Sequence, residues 1–102
     1  MARAAVRESG GCSVTVTDAE ILGGQKLLAA KAGVFAEPAA AATVAALKKL
    51  RKSRLLEGRE QIVLLITGHG LKDVDAALSG VTVPSPVEPE LSAVLSRLAI
   101  RG

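Results

Sequence analysis

The sequence predicts an α/β fold in which a partial parallel sheet packs against helices, and three observations favour this class. Residues 61–67 form an apolar run without alternation, as expected of a parallel strand covered on both faces. Residues 13–16 are short and β-branched, which favours a second strand. Residues 17–33 have apolar side chains at helical spacing, and residues 37–54 have the alanine-rich composition of a helix. A length of 102 residues suits one segment, residues 1–102, rather than several domains.

The first two predicted helices have clear end signals. Residues 2–8 read as a helix that stops at a serine and two glycines. Residues 17–33 begin with capping and acidic residues and end at a glycine, with apolar side chains at helical spacing between. Gly23 and Gly24 lie inside this helix and cost about 1 kcal/mol each relative to alanine. The pair therefore indicates a close contact with another helix or a kink.

The rest of the chain predicts two further helices around the stronger strand. Pro38 opens an alanine-rich helix whose first half is expected to be buried on every side and whose second half is solvated. Dense helix packing or the approach of a flat ligand would each explain the alanines. Residues 61–67 follow as a strand, and residues 68–80 contain a glycine turn and a short helix. Residues 89–100 predict a last helix with one apolar face.

These elements do not add up to a closed sheet. A strand covered on both faces belongs inside a sheet of about four to six strands, and this sequence offers one strong strand and one short partner. We therefore expect a carboxyl-terminal piece of a larger α/β domain. The expected partner is a missing amino-terminal portion or a second copy of the chain, and the expected assembly is a homo-oligomer.

Composition excludes several classes of protein. The longest apolar runs, residues 39–42 and 62–66, are far shorter than the roughly 20 residues of a membrane span. Phe35 is the single aromatic residue among Phe, Tyr and Trp, which disfavours base stacking. One cysteine and one histidine cannot form a closed zinc site, so no metal is expected. The lone cysteine and the lack of a secretory leader predict a cytoplasmic protein.

Positive charge is concentrated at one place although the formal net charge is only +3. The block is usually the solvated end of a helix and its loop, and a phosphate or nucleic-acid patch is the alternative. We do not expect nucleic acid as a partner. The block contains Lys48, Lys49, Arg51, Lys52, Arg54 and Arg59, opposed by Glu57.

Candidate chemistry lies directly after the stronger strand. In open parallel sheets, ligands bind beyond the carboxyl ends of strands, which is where Thr67 is expected. Gly68 and Gly70 would allow a ligand close to the backbone, although a tight turn alone also explains them. The sequence leaves three roles open for His69: a general base, a phosphate contact or a turn residue. Lys72 would bind a phosphate or cap nearby carbonyls.

Several of these stretches resemble one enzyme family. Residues 18–22, 25–29 and 33–39, and above all the Thr-Gly-His-Gly-Leu-Lys-Asp stretch at 67–73, are similar to the carboxyl-terminal part of threonine synthases. The resemblance extends over residues 2–89. It implies a pyridoxal-phosphate-dependent enzyme with a tryptophan-synthase-β-like fold, in which the parent converts O-phosphohomoserine and water to threonine and phosphate.

The resemblance also implies roles for particular residues. Thr67 matches the threonine that hydrogen-bonds the pyridine nitrogen of the cofactor, and Glu37 lines the same pocket. Gly68 and Gly70 are backbone neighbours of the cofactor. Ala40 stands where the family commonly has a serine, so a hydrogen bond from that serine is absent here.

No catalytic residue is predicted within this chain. The lysine that forms the imine, the asparagine over the ring and the loop that holds the cofactor phosphate belong, by the same resemblance, to the portion preceding it. Lys72 does not match the imine-forming lysine. We therefore expect no catalysis from the isolated chain and no tight binding of pyridoxal phosphate to it alone.

Overall fold

The computed structural model describes residues 1–99, which are mainly helical. The predicted last helix reaches Ile100, which lies outside the described residues. A 3₁₀ turn at Gly70–Lys72 precedes the fourth helix. The helices are α1 (Ala2–Glu8), α2 (Asp18–Ala32), α3 (Pro38–Lys52), α4 (Val74–Ser79) and α5 (Leu91–Ala99).

The predicted partial parallel sheet is wrong for this chain. Residues 13–16 and 61–67 are not strands, and the β pairing within residues 1–99 is one isolated antiparallel bridge between Ala36 and His69. Residues 61–67 have no backbone partner along the described chain, and the side chains of Val63 and Leu65 are 88% and 72% exposed. Strand propensity alone cannot form a strand, because the hydrogen bonds that define it come from a neighbour.

Helix α2 has the predicted ends. The Thr17 hydroxyl accepts a hydrogen bond from the Glu20 amide, and the Glu20 carboxylate accepts one from the Thr17 amide at 2.8 Å. That backbone hydrogen bond lowers the pKa of Glu20, with a smaller contribution from the nearby Lys49 charge. Gly33 ends the helix in the left-handed conformation, with φ at 66°. Local capping chemistry therefore defines this helix before any tertiary contact is considered.

The core lies where α2 packs on α3. A Cβ placed on Gly24 would lie 2.8 Å from the Ala41 carbonyl oxygen and 3.3 Å from the Val44 Cβ, so the two backbones meet closely here. Gly23 has open space around it, and the close contact explains only the second glycine. The first half of α3 is buried along one face rather than on every side, since Ala39 is exposed. Its buried residues are Ala40, Ala41, Val44 and Ala45.

The described chain is extended compared with an ordinary globular domain. Its radius of gyration is 18.3 Å, against about 13 Å for a compact domain of this length. Its accessible surface is 8260 Å², roughly 2,900 Å² more than the value of about 5,400 Å² that its mass predicts. Large apolar side chains on residues 62–65 and on α5 contribute to this excess. The core of this chain is therefore small for its length.

The basic block falls at the end of α3 and in the loop after it. Lys49, Arg51 and Lys52 occupy the last turn of the helix, where positive charge is favourable beside the free carbonyl groups. The Lys49 ammonium also donates to the Thr15 carbonyl at 2.7 Å. The favourable interaction of positive charge with the carboxyl end of a helix thus accounts for the position of these three cations. Among the described helices, none is long and apolar enough to cross a bilayer.

The two adjacent glycines of α2 provide a matched test of this packing. Gly24→Ala should lower the free energy of unfolding by about 1–3 kcal/mol, because the new methyl group would push α3 away. Gly23→Ala should raise it by up to about 1 kcal/mol, because alanine favours the helix and meets open space. Urea unfolding followed by far-UV circular dichroism measures both. Equal effects of the two substitutions would contradict the close approach.

Candidate functional site

Two distant segments of the chain come together at the candidate site. The Glu37 amide donates to the Gly68 carbonyl at 2.9 Å, and the Gly70 amide donates to the Phe35 carbonyl at 2.9 Å. Between these two hydrogen bonds lies the Ala36–His69 bridge. The start of α3 and residues 67–70, which we call the glycine loop, are some thirty residues apart in the sequence and are thereby held side by side. We call residues 35–37 and 68–70 the bridge segments.

The carboxyl group of Glu37 lies against the backbone of Gly68. A Cβ on Gly68 would overlap this carboxyl group, so glycine is needed for the contact as it stands. The Lys72 ammonium lies 3.5 Å from Glu37 Oε2, and the side chains are 65% and 17% exposed respectively. Lys72 therefore forms an ion pair with a largely covered carboxylate. This contact was not among the two roles predicted for it, and the phosphate-binding role stays a prediction.

Gly70 has a different neighbour from Gly68. It is buried, and a Cβ on it would overlap the ring of Phe35. The Phe35 and His69 rings are packed edge to face, with centroids 5.5 Å apart and planes at 82°. His69 Nδ1 accepts a hydrogen bond from the Leu71 amide at 3.1 Å and caps the 3₁₀ turn. Of the roles left open for His69, the structure shows that of a turn residue.

Thr67 precedes the second bridge segment and is exposed. Its hydroxyl has no hydrogen bond to any other residue between 1 and 99. A threonine hydroxyl can both donate to a ring nitrogen and accept from an amide. The exposed Thr67 thus adjoins Gly68, whose backbone the Glu37 carboxyl group contacts.

Two features of the site concern residues that sequence reasoning missed or left open. Gln25 on α2 is buried, and its Nε2 donates to the Ala36 carbonyl at 2.7 Å. Its signal in the sequence is a polar residue at an otherwise apolar helical position.

Ala40 is 2% exposed and belongs to the core with Ala36 and Ala41. A serine at position 40 would therefore place a hydroxyl in the core of the described chain, where Ala40 packs without a polar group.

Comparison with known proteins defines the class. The family described as pyridoxal-phosphate dependent enzyme matches residues 1–68, which include the first bridge segment, Thr67 and Gly68. The chain belongs to this family of pyridoxal-phosphate-dependent enzymes.

Within that family the chain is similar to threonine synthases. It is 47% identical over 94 residues to the threonine synthase of Methanocaldococcus jannaschii, a match that covers 92% of this chain and 23% of the relative. The threonine synthase of Methanosarcina acetivorans is 43% identical over 101 residues, covering 99% and 24%. That of Synechocystis sp. is 48% identical over 93 residues, covering 89% and 24%. The chain spans about a quarter of the length of these relatives and matches their carboxyl-terminal portion.

The described residues suit one side of a pyridoxal phosphate site. The exposed Thr67 hydroxyl has the chemistry to hydrogen-bond a ring nitrogen, and the adjoining loop is held by the bridge hydrogen bonds. The ammonium group of Lys72, the lysine that follows this loop in the sequence, is paired with the Glu37 carboxylate. No cluster of three or more histidine, cysteine or acidic residues that could hold a metal lies within residues 1–99.

Substitutions at the two loop glycines should differ in their effect on stability. Gly70→Ala should lower the free energy of unfolding by about 1–3 kcal/mol, because the methyl group would displace the Phe35 ring at a buried position. Gly68→Ala should cost less than about 1 kcal/mol, because the flexible end of the Glu37 side chain can turn away. Urea unfolding measures the difference. A larger loss for Gly68→Ala than for Gly70→Ala would contradict the two contacts.

Proposed function

We propose that this chain acts as the carboxyl-terminal part of a threonine synthase, which converts O-phosphohomoserine and water to threonine and phosphate. In this proposal it forms one wall of the pyridoxal phosphate site and is inactive alone. The observation that carries it is the exposed Thr67 hydroxyl beside a loop that is hydrogen-bonded to the start of α3. Identity of 43–48% to threonine synthases over most of the chain supports the choice of reaction. A cytoplasmic location is part of the same proposal.

Thr67 is proposed to hold the pyridine nitrogen of the cofactor through its hydroxyl. A neutral hydroxyl can satisfy this nitrogen without giving it the full positive charge that a carboxylate partner would favour. The bridge hydrogen bond from Glu37 to the next residue, Gly68, fixes the backbone beside Thr67. Because the Thr67 hydroxyl is attached to ordered backbone, less conformational entropy is lost when it binds the pyridine nitrogen.

Glu37, Gly68 and Gly70 are proposed to form the rest of this wall. The Glu37 carboxylate is 17% exposed, so one edge of it can still meet a bound molecule while Lys72 balances its charge. Gly68 and Gly70 keep the loop free of side chains that would displace Glu37 and Phe35. The wall thus presents a hydroxyl and a carboxylate on closely packed backbone.

Catalysis needs groups beyond this wall. Pyridoxal phosphate, when bound, withdraws electrons from the reacting carbons of the substrate. A lysine must hold the cofactor and move the α-proton, and no lysine of this chain matches that role in the family resemblance. Lys72, the lysine that follows the loop in the sequence, has its ammonium group 3.5 Å from a carboxylate oxygen. We therefore propose that the isolated chain neither makes threonine nor binds the cofactor tightly.

A chimera tests the reaction and the role of Thr67 together. The chain alone, mixed with pyridoxal phosphate and O-phosphohomoserine, should give no threonine and no shift of the cofactor's visible absorbance. The Methanocaldococcus jannaschii threonine synthase with its matching carboxyl-terminal portion replaced by this chain should form threonine. In that chimera, Thr67→Val should lower the rate about tenfold, because it removes the hydroxyl at constant shape. Thr67→Ser keeps the hydroxyl and should retain most of the activity.

Three results would count against the proposal. Threonine formed by the isolated chain would contradict the single wall. A folded chimera that binds pyridoxal phosphate but forms no threonine would contradict the reaction. Equal rates for the valine and serine variants would contradict the role of Thr67.

A second proposal is that the chain is an accessory domain without catalysis of its own, which associates with a separate amino-terminal half or with itself. The observation that favours it is the excess surface of roughly 2,900 Å² on this one chain, which is more than the roughly 1,000–2,500 Å² that each partner buries in most permanent interfaces. Exposed apolar side chains on residues 62–65 and on the amphipathic helix α5 lie within this surface. Burial of such a surface is the main favourable term in association.

Analytical ultracentrifugation tests the association. The isolated chain should sediment as a concentration-dependent oligomer, or gain mass when the amino-terminal portion of a threonine synthase is added. Leu95→Glu on α5, a half-exposed position, should weaken either association, because it places a charge in an apolar interface. Ser96→Glu, which places the same charge at the exposed polar neighbour on the same helix, is the matched control. A compact monomer at all concentrations, with or without the added portion, would rule the proposal out.

A further inference from the structure

Gln25 is the one buried polar residue in the described part of the chain. It is 5% exposed and follows Gly24 on the face of α2 that meets α3. Its Nε2 donates to the Ala36 carbonyl at 2.7 Å, a short distance for an amide hydrogen bond. A polar side chain is costly at such a position unless its hydrogen bond does something that an apolar side chain cannot.

The geometry of the bridge explains why this carbonyl needs a donor. The hydrogen bonds of the bridge are made by the residues on either side of Ala36, so the amide and carbonyl of Ala36 itself point away from His69. Ala36 is completely buried, and water cannot reach its carbonyl. The Gln25 side-chain amide therefore donates to a carbonyl that, in a sheet, would accept a hydrogen bond from a further strand.

We infer that Gln25 is a positioning residue for the candidate site. Its side chain holds Ala36 from α2, while the loop holds the two neighbours of Ala36 from the opposite side. With both sides of Ala36 held, the backbone of Glu37 is fixed relative to Gly68, and this in turn fixes the loop that carries Thr67. The relevance to a cofactor rests on the proposed function, whereas the effect on the bridge segments does not.

A comparison with packing alone separates this role from a general contribution to stability. Leu28 also lies on α2 and packs against the same core, but it makes no polar contact with Ala36. Loss of Leu28 side-chain atoms should weaken the core generally. Loss of the Gln25 amide should act first on the Ala36 carbonyl and on the bridge.

The test uses the isotope-labelled 102-residue chain and nuclear magnetic resonance, with Gln25→Met compared with Leu28→Ala. Methionine keeps the length of glutamine but cannot donate a hydrogen bond. In Gln25→Met, the Ala36 carbonyl carbon resonance should move upfield, and exchange of the Glu37 and Gly70 amide protons should accelerate about tenfold relative to amides in the middle of α3. In Leu28→Ala, exchange should accelerate to a similar extent at all these amides.

The unaltered chain gives an independent readout if Gln25→Met fails to fold, as judged by circular dichroism. One Nε2 proton of Gln25 should then exchange much more slowly than the side-chain protons of Gln61, which is exposed. Equal exchange at Gln25 and Gln61 would overturn the inference, as would Gln25→Met with an unchanged Ala36 resonance and bridge. None of these measurements contains cofactor, so a folded chimera that binds pyridoxal phosphate but forms no threonine would overturn the proposed function and leave this inference standing.

Discussion

Two backbone hydrogen bonds between the bridge segments are the constraint on which the rest of the candidate site depends. They join the start of α3 to the glycine loop, and no regular sheet surrounds them within the described chain. Because the Ala36 carbonyl then points toward α2, the bridge requires a donor there, which Gln25 supplies. The contacts of Glu37 with Gly68 and of Phe35 with Gly70 follow from the same pairing.

This arrangement ties the site to the helix pair beneath it. Gly24 lets the backbones of α2 and α3 meet, and the next residue, Gln25, reaches across to the segment between the two helices. The helix packing and the site geometry therefore depend on two adjacent residues of α2, Gly24 and Gln25. The buried core is otherwise small and rich in alanine, which explains why close backbone approach, rather than large side chains, holds the helices together.

Two side chains with potential catalytic or binding chemistry, one in the glycine loop and one just after it, contact other parts of this chain. His69 caps the 3₁₀ turn and packs against Phe35, and Lys72 pairs with Glu37. Thr67 differs from both because it is exposed and its hydroxyl has no hydrogen bond to another described residue. This contrast is consistent with our proposal that Thr67 contacts the cofactor, and it leaves His69 and Lys72 with contacts to the chain itself.

The ends of α2 and the start of α3 were predictable because a capping box and a proline at the first turn act through neighbouring residues. The family was predictable because its motifs are short stretches of sequence. The strands predicted at residues 13–16 and 61–67 were wrong, since a strand exists only through a partner that local pattern cannot supply. Tertiary structure alone decided that Glu37 lies against Gly68 and that Gln25 holds Ala36. Those contacts join residues far apart in the chain, and their geometry depends on how closely two helices can approach.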